Sequence, residues 1–177
     1  METIGIRYAE VAILTAIALA SDIKHYKIRN KLTFPFMFIG LVTACILDGF
    51  DGLLDSILGI VAPFVLLILL YALRMLGAGD IKLFSAIGAV MGFREVIQIM
   101  IYSFLAGGVI AVFIVIVNKN AKERFLYMFN YLKCTFLSMN IQPYTDFEKS
   151  DSKAKFKMAY AIACGVIIFI AVDILLK

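Results

Sequence analysis

Polar chemistry is scarce in this sequence, and each scarcity removes a class of function. The single histidine, His25, leaves no convincing Ser-His-Asp arrangement. Its neighbours Lys24 and Lys27 put it in a basic loop, where a solvated imidazole is the simpler reading and a tuning role for the nearby Asp22 the sharper one. The cysteines Cys45, Cys134 and Cys164 are scattered with no Cys-x-x-Cys pair, so they read as packing residues or free thiols. The acidic run Asp48, Asp51 and Asp55 surrounds Gly49 and Gly52 as a turn would, but it lacks the ligand spacing of a calcium loop. It is expected to be a solvated loop, and neither a metal nor a cofactor is expected. Charged residues are only 17% of the chain, against about a quarter in soluble domains.

What is abundant is apolar: 63% of residues are hydrophobic and the mean hydropathy is +0.96. That balance describes an all-α, polytopic membrane protein, a single domain over residues 1–177. Apolar runs cover 8–20, 34–47, 57–73, 80–92, 96–117 and 158–176, which predicts about six transmembrane helices. Arg7 and Glu10, three residues apart, are expected to pair at an interface. Pro35 suits the start of the second span, and Pro63 is a candidate kink in the third. Residues 80–92 would cover only about 20 Å as a helix, so that span is short or starts inside the membrane. Gly107 and Gly108 in the fifth span predict close helix packing. A rival reading of the first run, as a secretory leader cut after Ala18-Leu19-Ala20, is disfavoured by a segment before it with one arginine and two glutamates.

Residues 118–157 break the apolar pattern. Phe125, Met128, Phe129, Leu132 and Phe136 recur there at helical spacing beside Lys122, Arg124 and Lys133. This describes an amphipathic cytoplasmic helix, lying either on membrane lipids or on the protein's own face, and either placement allows a lid. Because the aromatics fall on the apolar stripe rather than among the lysines, no nucleic-acid partner is expected.

Two acids stand at the ends of apolar runs, Asp22 in Ser21-Asp22-Ile23-Lys24 and Asp80 in Gly77-Ala78-Gly79-Asp80-Ile81-Lys82. An acid at the edge of hydrocarbon is a functional candidate by default. Glycines beside it let the backbone turn freely and let another chain lie close. The plainer reading is that Gly77 and Gly79 end one helix and Asp80 caps the next, solvated at the surface. The pair of motifs resembles the type IV prepilin peptidases, membrane aspartic proteases with a Gly-x-Gly-Asp motif. In that family the first aspartate precedes an Ile-Pro-Asn-x-Leu-Thr segment, and here Asp22 is followed by Ile28-Arg29-Asn30-Lys31-Leu32-Thr33, with Arg29 in place of proline. The segment Lys157-Met158-Ala159-Tyr160-Ala161 resembles the family's Ile-Pro-Tyr-Ala, with Ala159 in place of proline.

The resemblance implies that Asp22 and Asp80 are catalytic, that Gly77 and Gly79 border the substrate, and that the partners are prepilin-like precursors with a short basic leader. It also implies the short, peptidase-only form, since the paired-cysteine segment tied to N-methylation in many relatives is not seen here. Independently, placing both aspartates on the cytoplasmic side puts 14 of the 17 Lys and Arg there, leaving Arg7, Arg94 and Lys177 outside. Both termini are then expected outside the cell membrane. A competing class is a small proton- or cation-coupled transporter built on the same two acids, whose mark would be an inverted repeat. The chain offers only a repeated Asp-Ile-Lys. A non-catalytic scaffold would leave the acids without a role.

Overall fold

The computed structural model describes residues 2–25, 30–73, 75–117 and 158–176, all helical apart from short connections. The order is α1 (Glu2–His25), α2 (Asn30–Ala72), α3 (Ala78–Met91), α4 (Phe93–Val117) and α5 (Met158–Leu176). Four of these, α1, α2, α4 and α5, are long and apolar enough to cross a membrane. The amphipathic helix expected within 118–157 lies outside the described residues, as do Cys134 and the side chain of His25.

α2 is not one straight rod. At Gly49 the backbone takes φ 65° and ψ −141°, and an ideal Cβ on Gly52 would lie 2.5 Å from the carbonyl oxygen of Ala44. Eight residues of continuous helix would separate those groups by about 12 Å. The chain therefore reverses at Gly49, and two arms, residues 30–48 and 50–72, run back to back. The 34–47 and 57–73 runs become these arms. Gly49 is where a glycine is required, because an L side chain rarely adopts that positive φ. The expected solvated loop from Asp48 to Asp55 is thereby corrected: the reversal takes a single residue, and the acids sit on helix ends. Pro35 is likewise inside α2 rather than at its start, and Gly49 is the non-helical residue within α2.

α3 lies against both arms. Its sequence is apolar on nearly every side after Lys82, and Leu83 to Met91 are all buried. A helix with no polar face is stable only when enclosed. Close approach comes from glycines: a Cβ on Gly40 would lie 2.7 Å from the Ala89 backbone, and one on Gly88 would lie 2.0 Å from the Gly59 carbonyl. At the crossing of α4 and α5, Gly165 presses similarly on Ser103. Of the Gly107-Gly108 pair, Gly107 is buried while Gly108 has open space around it. The core joins Val11, Leu14 and Ala18 of α1 to Phe84 and Ile87 of α3, Ile99 of α4 and Ile162 of α5. Phe84 is wholly buried and stacks on Phe104, with ring centroids 6.2 Å apart. Large apolar side chains outside this core, Phe64, Leu69, Val109 and Phe113 among them, are exposed, which suits a lipid solvent and not water.

Polar contacts gather at the two ends. At one end Arg7 forms an ion pair with Asp48 and also donates to the Met91 carbonyl at 3.4 Å. Tyr8 bonds Asp173, and Asp55 accepts the Phe93 N–H at 3.2 Å. The expected pairing of Arg7 with Glu10 does not form. Glu10 instead accepts from the Thr43 hydroxyl at 2.8 Å, since the first arm of α2 supplies a nearer partner. α3 and α4 meet at this end through Gly92, whose φ of 103° again suits glycine, and a Cβ there would collide with the Asp55 carboxylate. The chain thus alternates direction through α1, the two arms, α3, α4 and α5.

Candidate active site

The opposite end carries both sequence-flagged acids. Asp22 is in the last turn of α1, and Asp80 is in the first turn of α3. α2 ends before a short connection whose last members are the buried Leu76 and the exposed Gly77. Gly77 is extended, at φ −79° and ψ 145°, and from it α3 starts. Its carbonyl accepts the Asp80 N–H at 3.1 Å, while its own N–H donates to Asp80 Oδ2 at 3.3 Å. A carboxylate three residues into a helix commonly folds back in this way onto the free N–H at the cap. The plainer reading is corrected in its cap: Gly77 caps α3, and Asp80 is the third helical residue, folded back onto it.

Asp80 is half-buried rather than fully solvated. Asp80 lies outside the four spanning helices, yet burial pushes its carboxyl up to about 6 from an ordinary 3.8. The bond from Gly77 acts in the opposite direction and is outweighed. The Asp22 charge raises Asp80 further, so the two carboxyls sense one another across the gap between α1 and α3. The fold therefore sets two acids 58 residues apart in sequence at the same end of the bundle, in the last turn of α1 and the first turn of α3.

The glycines of the motif act through space rather than through backbone freedom. Positive φ values among the described glycines occur at Gly49 and Gly92, whereas Gly77 takes an angle open to any residue and Gly79 is within α3. This corrects the expectation of a freely turning glycine-only backbone. A Cβ on Gly77 would lie 3.1 Å from Asp80 Oδ2, tight enough to disturb the carboxylate. Gly77 and Ala78 are exposed, and Gly79 and Asp80 half-buried, so the turn is open on one side and closed by α3 on the other.

The sequence reading left one contact unseen. Lys82 Nζ donates to Asn30 Oδ1 at 2.9 Å and lies 5.7 Å from the centroid of the Phe34 ring. Asn30 stood in the motif after Asp22 and Lys82 in the motif after Asp80, and that shared position was the available signal. Among the described residues no group of three or more His, Cys, Asp or Glu is gathered in a way that would hold a metal.

Comparison with known proteins bears on the same residues. The curated relatives include proteins named prepilin leader peptidase/N-methyltransferase from Aeromonas hydrophila, 27% identical over 110 residues, and from Bacillus subtilis, 29% identical over 113. The Legionella pneumophila protein of the same name is 29% identical over 128 residues. These alignments take in 58%, 63% and 68% of this chain but 38%, 45% and 45% of the relatives, so the chain spans less than half of their length. No solved structure matches. The family model described as the type IV leader peptidase family matches residues 10–112, a stretch that holds Asp22, the hairpin of α2, the Gly-Ala-Gly-Asp turn and most of α4, and the chain belongs to that family.

Proposed function

We propose that this protein is a membrane aspartic endopeptidase that removes the short basic leader of prepilin-like precursors at the cytoplasmic face, with Asp22 and Asp80 as its catalytic pair. The observation that carries the reading is that both acids lie at one end of the bundle, Asp22 in the last turn of α1 and Asp80 in the first turn of α3, where the Asp22 charge acts on Asp80. Two nearby carboxyls do not both ionise readily, so the pair shares a proton. The ionised member takes a proton from water as the water oxygen attacks the scissile carbonyl. The protonated member donates to that carbonyl oxygen. The tetrahedral intermediate then collapses as the C–N bond breaks, and the leaving nitrogen receives a proton from the pair. Acid and base roles belong to the pair rather than to either residue.

The membrane arrangement follows from lengths and charge. α1, each arm of α2, α4 and α5 have bilayer length, and the 14-residue α3 is enclosed among them as the sixth helix, with Asp80 at the rim. The charge count puts that rim on the cytoplasmic side and the termini outside. A substrate segment must lose its helical hydrogen bonds before water reaches the peptide carbon. The open side of the Gly77–Gly79 turn gives an extended strand room to do so. Anionic lipids around a basic rim would hold the basic leader close.

The test is cleavage of a precursor by the purified protein, with Asp22→Asn and Asp80→Asn as controls. Each change should lower the initial rate by at least about a hundredfold, the range of lost acid–base help. The double variant should be no worse than either single one, because members of one catalytic unit are not additive. Retention of more than about a tenth of the rate by either variant rejects the pair.

A further inference from the structure

The contact between Lys82 and Asn30 lies beside the acids without belonging to them. Lys82 is two residues after Asp80, about 200° round the helix, so it leaves α3 on the side away from the carboxyl. Its ammonium meets two groups, the Asn30 amide oxygen at 2.9 Å and the Phe34 ring at 5.7 Å. Those partners are four residues apart and therefore stand on one face of the first turns of α2. A lysine on a protein surface ordinarily keeps its rotamer freedom, and a single exposed polar contact fixes little. Here one turn of α2 supplies both an acceptor and an aromatic face to the same ammonium.

The location gives the contact its consequence. Asn30 opens α2 eight residues after Asp22, and Lys82 is in the turn that carries Asp80. The contact thus fastens the segment that follows one acid to the helix that bears the other. We propose that Asn30 and Lys82 form a positioning clasp that sets the spacing of Asp22 and Asp80 without touching substrate. Catalytic groups tolerate misplacement of only about half an ångström, so a tie at this point governs turnover more than binding. The inference rests on the peptidase reading above.

The experiment measures kcat and KM for precursor cleavage by the purified full chain and its Asn30→Ala, Lys82→Met, double, Asn30→Asp and Lys82→Arg variants. Asn30→Ala and Lys82→Met should each lower kcat roughly tenfold, a loss that modest misplacement produces, with KM within about twofold of wild type. The double variant should match the weaker single one. Asn30→Asp, which keeps an acceptor, and Lys82→Arg, which keeps a cationic donor, should recover most of kcat. A rise in KM at constant kcat would mean that Lys82 contacts substrate and would overturn the clasp. Additive losses, unchanged rates, or failure of both conservative variants to recover kcat would overturn it as well. If wild-type protein cleaves no precursor, the peptidase reading fails and the clasp's role with it. If wild type cleaves and the clasp variants match it, the clasp alone fails.

Discussion

Asp80→Asn should make the protein more stable as it abolishes cleavage. The carboxyl titrates at about 6 in the folded chain against 3.8 for the free group, chiefly because it is buried. Between those values the folded state binds more protons than the unfolded one, so stability falls as pH rises through the window and is lowest above it. The difference corresponds to at most about 3 kcal/mol, and partial exposure reduces the expected effect to about 1–3 kcal/mol. An asparagine keeps an oxygen for the Gly77 N–H and carries no charge to desolvate. Chemical unfolding in mild-detergent micelles should therefore show Asp80→Asn ahead of wild type by that amount at pH 8. The gap should shrink as pH falls through 6 and be gone near pH 4. Asp22→Asn should give a smaller gain, because the Asp22 charge is a lesser cause of the shift than burial. A variant less stable than wild type at pH 8, or a gap that does not change with pH, would refute the reasoning. An active site held at the expense of stability is the usual outcome where a charge must be kept poorly hydrated.

Gly79→Val should slow cleavage steeply and Gly79→Ser mildly, at equal membrane insertion. Since Gly79 is within α3, the loss would come from filled space, and an unaffected initial rate for the valine variant would remove the turn from the substrate path. Gly88→Ala should destabilise the fold by about 1–3 kcal/mol through collision with the Gly59 carbonyl, whereas Gly108→Ala, with open space, should be near neutral in the same unfolding assay. Single cysteines introduced in 118–157 of a chain whose native cysteines are replaced should react with an impermeant thiol reagent only when the cytoplasmic side is opened, and one at position 51 should react from outside. Labelling in the opposite sense would overturn the orientation.

The acids were legible because each is marked locally. Asp22 and Asp80 stand where apolar runs end, each followed by a short recognisable segment, and no knowledge of distant neighbours was needed to select them. The all-helical, apolar character of the chain was legible for a similar reason, since the lengths of apolar runs are properties of contiguous sequence. The other end of the bundle was not. Arg7 was matched with Glu10 by helical spacing, but the reversal at Gly49 delivers Asp48, 41 residues on, and Asp48 takes the guanidinium. The acidic stretch around Gly49 and Gly52 reads as a solvated loop, where one glycine suffices to reverse the chain. Packing glycines are legible only in part, because spacing says that a glycine exists and not which way its helix is turned: Gly107 is buried and its neighbour Gly108 exposed. Gly59 and Gly88 face one another, Gly40 lies against the backbone of Ala89 and Val90, and Gly108 faces open space.

Those packing glycines bear on the acid as well as on the fold. Because Gly40, Gly59 and Gly88 let both arms of α2 touch the backbone of α3, water is kept from α3 from Leu83 onward. Asp80 begins the same helix, one turn before that dry stretch, and its carboxyl is raised chiefly by burial. The sequence signals for packing and for chemistry, which look separate along the chain, thus meet on one helix: small residues in the arms of α2 enclose an apolar α3, and the Gly-Ala-Gly-Asp turn opens it.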